Sequence, residues 1–431
     1  MRYTPLPASL FIKNRAKFTA ALLPESMAVF NSNDIYPISA DSTLPFAQHR
    51  DIYYLSGLDQ EASILILFPD AQQKEFKEMV FVKKTSPLIA VWEGAKLSKE
   101  EARERTGIQN IYWLEEFDTI FKEVARQAKH IYINQNEHSR ASTLTQTRED
   151  RFILRCKKEF PNHSYKQSNS ILHKIRAIKE PEEIEALKQA CAITEIGFRR
   201  ILSIVQPGIW EYEIEAALSY EFIKNRADGF AYSPIIASGE NANILHYVLN
   251  NKQCKTGELI LMDVAAAYAR YSSDLTRVVP VSGRFTKRQK QVYKALLKVK
   301  DQTTALLQPG ITWDDYNKEV GEYMTAALMD LKLLTKYDLQ IASPKAPAFR
   351  KYFMHGNSHF LGLDTHDYGL RSEPMQENMV LTVEPGIYIP EEKMGFRLED
   401  DIVIQKNGAP LNLMASIPIN PDEIESLMNE K

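Results

Sequence analysis

A tetrapeptide that returns at a fixed distance constrains the fold of this chain more than anything else in it. Gln206-Pro207-Gly208-Ile209 recurs as Gln308-Pro309-Gly310-Ile311, an offset of 102 residues. At that offset Ile214, Leu218 and Phe222 stand against Tyr316, Val320 and Met324, so the apolar stripe of the helix expected after each copy repeats as well. A His-bearing stretch follows each copy, SGENANILHYV first and HGNSHFLGLDTHD later, and then two apolar runs each carrying an acid. Pro-Gly after a helix is common by itself. Its recurrence with matched helices and matched acids predicts a duplicated helix–helix–strand–hairpin unit. Two such units packed about a pseudo-two-fold axis bring their acidic hairpins face to face.

The acids are Asp263 and Asp274 in LILMDVAAAYARYSSDLTRVVPV, and Glu384 and Glu399 in VLTVEPGIYIPEEKMGFRLEDDIVI. Asp263 corresponds to Glu384 and Asp274 to Glu399, with offsets of 121 and 125 residues that reflect longer loops in the second half. Each acid closes or follows a β-branched run and is expected on a mostly buried strand. The spacings of 11 and 15 residues place each pair on neighbouring strands of a hairpin. A buried, ionised carboxylate costs several kcal/mol or more without a counter-charge, and no matching set of Lys or Arg is evident nearby. Two divalent cations balance four carboxylates. Together with His359 these acids form a hard-to-borderline donor set that suits Mn²⁺, Co²⁺, Fe²⁺ or Zn²⁺ and excludes an all-sulfur zinc site. A pair of such ions can activate water and polarise a carbonyl at once, which makes a hydrolase.

Four of the nine histidines, His246, His355, His359 and His366, lie in the two matched segments. His355 and His359 share one side if that stretch is helical. His359 is read as a metal ligand, and His246, His355 and His366 as contacts to substrate or to the ligands. His49, His130, His138, His163 and His173 are read as structural or surface residues.

At 431 residues the chain is too long for one ordinary core. Residues 1–172 alternate strand-like runs (AVFNS, DIYYLSG, SILILFP, EMVFVKK) with helix-like ones (KLSKEEARERTG, WLEEFDTIFKEVARQAK), an α/β domain that ends in polar, mixed-charge sequence from Glu137 to Asn169. Residues 173–431 form the second domain, entered by a helix with Pro181 in its first turn beside Glu182 and Glu183. Lys plus Arg number 53 against 56 Asp plus Glu, a net charge of −3 that argues against nucleic acid or anionic membrane as a main partner. Three widely spaced cysteines without a CxxC, no signal-peptide core and no stretch of transmembrane length lead to the expectation of a cytoplasmic protein.

Asp263, Asp274, His359, Glu384 and Glu399, set in HGxSHxLGLDxHD, EPGxY and RxEDD, resemble the M24 metallopeptidases of pita-bread fold. Within them residues 175–410 are similar to the Xaa-Pro peptidase branch, aminopeptidase P and prolidase, and FAQHRDIYYLSGL and VWEGAKLS resemble the amino-terminal domain of aminopeptidase P. The resemblance implies an α/β front domain followed by a pita-bread catalytic domain that removes an N-terminal residue preceding proline. It implies two divalent ions per subunit, Mn²⁺ foremost: Asp263 on one, His359 and Glu384 mainly on the other, Asp274 and Glu399 bridging. Glu384 would shuttle the proton, His246, His355 and His366 would meet the substrate, and Tyr388 and Arg397 would hold the acids in place. Arg397 is also able to hold a proline carboxylate. Trp92 would belong to the proline pocket, reaching a neighbouring subunit of a dimer or tetramer, or else to the front-domain core. The chain departs from the family pattern in Ala265, in Asn357 and in the short interval between Glu384 and Glu399, which resembles compact prolidases. Prolidase activity is therefore the alternative, and a non-catalytic binding or scaffold protein of the same fold is the alternative from another class.

Overall fold

The computed structural model describes residues 2–430 apart from 139, 140 and 142. The chain divides into two compact units, Pro5–Ile175 and a unit that starts at Arg176 and takes in the first residues of the chain. Residue 172, the boundary expected from sequence, lies inside the helix Asn169–Ala177.

The first unit is built on a mixed six-stranded sheet in the order Asn110–Trp113, Glu78–Val82, Ile64–Leu67, Ser26–Asn31, His130–Ile133, Ser164–Gln167. Ser26–Asn31 and Ile64–Leu67 are buried along their whole length, as central strands covered on both faces must be. DIYYLSG is not a strand but the helix Arg50–Ser56. His49 caps its first turn by accepting from the Asp51 amide, and Gly57 ends it at φ 70°. Asp51 to Ser56 are all buried, so no polar face shows the helical period that would have identified it. The polar stretch after Glu137 likewise holds a helix, Arg148–Glu159, and the strand Ser164–Gln167.

The second unit carries the duplication. Helices Pro181–Ile204 and Glu211–Lys224 flank the first QPGI, and Lys287–Ala305 and Trp313–Asp330 flank the second. Gly208 and Gly310 adopt φ 94° and 96°, where a side chain is strained. Each glycine amide donates to a distant carbonyl, Cys254 at 2.9 Å and Met375 at 2.8 Å, and the amides of Cys254 and Met375 return bonds to Ile209 and Ile311. The hairpins repeat too. Leu259–Asp263 pairs antiparallel with Thr276–Pro280, and Val380–Val383 with Asp400–Val403. One antiparallel bridge, Thr276 to Glu399, joins the two hairpins where the acids lie. Ile214, Leu218, Phe222, Tyr316, Val320 and Met324 are all buried in one core with the inner residues of both sheets. No described helix is long and apolar enough to cross a membrane, and the three cysteines are free and buried.

Candidate metal centre

Asp263 ends the strand Leu259–Asp263, and Glu384 follows Val380–Val383. Asp274 stands just before Thr276–Pro280, and Glu399 just before Asp400–Val403. Two opposed hairpins thus aim four acids at one point. His359 arrives on an extended segment laid beside the second hairpin. Its amide donates to Thr382 Oγ1 (3.1 Å), the Thr382 amide donates to its carbonyl (3.0 Å), and the Glu384 amide donates to Asn357 (2.9 Å). The ligand atoms of Asp274, His359 and Glu399 all lie within 4.8 Å of one another. His359 Nδ1 donates to the Phe360 carbonyl (3.0 Å), which turns Nε2 toward Asp274 Oδ2 (3.4 Å) and Glu384 Oε1 (3.5 Å).

These carboxylates are short of positive charge. Burial and the neighbouring Asp274, Glu384 and Asp263 push Glu399 well above the usual carboxylate range. Burial lifts Glu384 to about 7 even though His359 and Arg397 oppose it. Burial raises Asp263 as well, against Arg397 and with Asp274. Burial would lower His359, but its bond to Asp274 and the charge of Glu384 outweigh that and hold it near 9. Among the described residues the buried Asp263 Oδ1 has no hydrogen-bond partner. Carboxylate and imidazole oxygen and nitrogen donors crowded in this way fit divalent cations.

Cations do lie close by, contrary to the sequence expectation, but they are committed. Arg397 donates Nη2 to Asp263 Oδ2 (2.5 Å), Nη1 to the Tyr388 hydroxyl (2.9 Å) and Nε to Thr276 Oγ1 (3.0 Å). Thr276 Oγ1 in turn donates to Glu399 Oε2 (2.6 Å). Arg397 therefore orients one acid of each half. Tyr388 is 2.8 Å from His355 Nε2, while His355 Nδ1 meets the Gly356 carbonyl, and burial with the Arg397 charge keeps that ring neutral, down at about 3. Behind the acids, Arg277 and Lys300 both pair with Asp400, and Asp401 Oδ2 accepts from the Asp274 amide (3.1 Å). The buried Tyr232 phenol faces Asp263, and burial with the Asp263, Asp274 and Glu399 charges drives its ionisation well above the ordinary tyrosine range.

Thr276, Arg277, Lys300, Asp401 and Tyr232 were not picked out from sequence. Arg277 and Asp401 carried a signal, a charge on an apolar run close to a candidate ligand. Lys300 carried none, because it sits on the lysine-rich helix Lys287–Ala305.

The histidines converge in part. His355 and His359 do not share a helix face, since residues 354–359 are irregular. They still face the same acid, with His355 Nδ1 3.5 Å from Glu384 Oε2. The His366 ring packs edge-on against His359 with centroids 4.5 Å apart. His246 is exposed on its loop. Trp92 ends the helix Pro87–Trp92 of the first unit and is 79% exposed, which excludes the reading as front-domain core.

Residues 185–406 match the model of metallopeptidase family M24, and residues 11–132 match that of the aminopeptidase P N-terminal domain. The Xaa-Pro aminopeptidase of Haemophilus influenzae is 32% identical over 98% of both chains. Among solved structures, aminopeptidase PepP of Pseudomonas aeruginosa superposes with a TM-score of 0.89 at 28% identity, covering 98% of both chains. A variant of Escherichia coli aminopeptidase P in complex with substrate superposes at 0.87 and 29%, covering 99% of both.

Proposed function

This chain belongs to metallopeptidase family M24 and carries an aminopeptidase P N-terminal domain, and on that premise we propose that it is a Xaa-Pro aminopeptidase, hydrolysing the bond between an N-terminal residue and a penultimate proline. The observation that carries the reading is the meeting of Asp274, His359 and Glu399 from both halves, in a chain similar over 98% of its length to a curated Xaa-Pro aminopeptidase. Two divalent ions, Mn²⁺ favoured over Co²⁺, Zn²⁺ and Fe²⁺, would be held by Asp263, Asp274, His359, Glu384 and Glu399, and when bound they supply Lewis acidity and activate the nucleophile.

The side chains supply the rest. Glu384, which faces both His355 and His359, takes a proton from the attacking water and passes it to the proline nitrogen as that nitrogen leaves. His366, beside His359, and His246, at the rim, donate to the oxygen of the scissile carbonyl as charge grows on it. The Arg397–Tyr388 pair keeps Asp263 aimed and His355 neutral. Proline calls for a dedicated site because its ring fixes φ and removes the amide N–H on which general peptidases rely. Trp92, exposed with its neighbours Leu88 and Val91, would cover the proline pocket of a neighbouring subunit in a dimer or tetramer. Three free thiols support a cytoplasmic setting.

The test is kcat/KM for Ala-Pro-Ala against Ala-Pro after loading with Mn²⁺, Co²⁺ or Zn²⁺, with the tripeptide expected to be cut faster. A preference for the dipeptide makes the chain a prolidase. No cleavage with any metal leaves the binding or scaffold role.

A further inference from the structure

The loop that carries His366 is anchored by a buried ion-pair cluster. Asp367, next in sequence, has a side chain only 2% exposed, and it takes a cation on each oxygen. Oδ1 accepts from Arg176 Nη2 (2.5 Å) and from the Tyr368 amide (2.8 Å), and Oδ2 accepts from Lys179 Nζ (3.0 Å). Burial works to protonate this carboxyl, and Arg176 and Lys179 together hold it ionised. Arg176 also binds Asp364 of the same loop (2.8 Å) and stacks on Tyr368, 4.6 Å from its ring centre. Lys179 is locked in turn by the Arg176 carbonyl (2.6 Å).

Two further contacts tie this cluster to the metal centre. The Asp367 amide donates to the Phe360 carbonyl (2.9 Å), the same oxygen that receives His359 Nδ1. The Gly362 carbonyl accepts from Ser272 (2.8 Å), two residues before Asp274. Gly362 has to be glycine here, because a Cβ would come within 2.1 Å of Asp367 Oδ2.

We propose that Asp367, gripped by Arg176 and Lys179, is a positioning residue that sets His366 against His359 and hence against the scissile carbonyl. The proposal rests on the peptidase reading above. His366 lies on a loop without regular structure, and a neutral or mobile residue 367 loosens the backbone that presents its ring to His359.

A double-mutant cycle separates this role from general stabilisation. In the Mn²⁺-loaded protein, Asp367→Asn should lower kcat on Ala-Pro-Ala about 10-fold or more, with KM changed less than about 3-fold and metal content unchanged. In a His366→Ala background the same substitution should change kcat less than about 2-fold, because the residue it acts through is gone. Should Asp367→Asn fail to fold, Lys179→Met, which leaves Arg176 on the carboxylate, carries the same cycle. Losses that multiply across the two backgrounds, loss of metal, or an unchanged kcat overturn the proposal. A parent protein inactive on every Xaa-Pro peptide overturns the peptidase reading, and this proposal with it.

Discussion

Replacing Arg277 with Met tests how the two halves hold Glu399. The fully buried guanidinium donates to the carbonyls of Pro418 (3.0 Å), Thr276 (3.1 Å) and Glu399 (2.7 Å) and to Asp400 Oδ1 (2.6 Å). It thus clasps both sides of the Thr276–Glu399 bridge between the hairpins. Methionine fills part of the volume but removes every donor. Removing one partner of a buried ion pair costs about 3–5 kcal/mol. Lys300 and Asn412 still face Asp400, which draws this term to the low end, roughly 3 kcal/mol. The Glu399 and Pro418 carbonyls each lose their Arg277 donor, adding about 1 kcal/mol apiece, while the Thr276 carbonyl keeps the Glu399 amide. We expect a loss of about 5 kcal/mol in urea unfolding of the metal-free protein. Metal affinity measured by calorimetry should fall about 10- to 100-fold, the scale for residues that orient ligands from behind. A loss below about 1 kcal/mol together with unchanged affinity would refute the clasp.

Asp274→Ala and Glu399→Ala should each reduce occupancy of both ions, whereas Asp263→Ala should mainly empty one, and elemental analysis finding two ions retained in Asp274→Ala contradicts the bridging assignment. His359→Ala should lose metal and activity together, while His246→Ala keeps its metal and loses turnover by roughly 10²-fold; equal metal loss in both variants means the ligand and the substrate contact have been confused. In the first unit, burial lifts the Glu149 carboxyl from 4.5 to about 8 despite two donors from Asn31. Its folded value lies above the unfolded one, so the stability it permits is complete below about pH 4.5 and is lost as pH rises through 8. Glu149→Gln should flatten the slope of the urea midpoint against pH across that window, and an unchanged slope exonerates Glu149.

Features that repeat along the chain were readable from it. QPGI marked both helix–helix turns because glycine alone adopts the φ of 94° and 96° those turns use without strain. Acids at the ends of apolar runs marked Asp263 and Glu384 where a strand finishes and Asp274 and Glu399 where one starts, since a carboxylate enters a buried strand only for a counter-charge. Local patterns failed where a segment has no exposed face. The helix Arg50–Ser56 is buried from Asp51 to its end and read as a strand for that reason. His355 and His359 would share one side only in a helix, and their segment is irregular, so their common approach to Glu384 comes from the fold and not from their spacing.

The four acids and His359 as candidate donors, the duplication and the hydrolase class were legible in the sequence by itself, because covalent spacing and side-chain type are local properties. Tertiary structure alone decided which charges meet. Arg397 reaches Asp263 across 134 residues, Arg176 reaches Asp367 across 191, and Lys300 reaches Asp400 from a helix packed behind the sheet. Ion pairing depends on distance in space, which falls off steeply and bears no relation to separation along the chain. The partners that aim the acids and His366 therefore became identifiable only once the chain was folded.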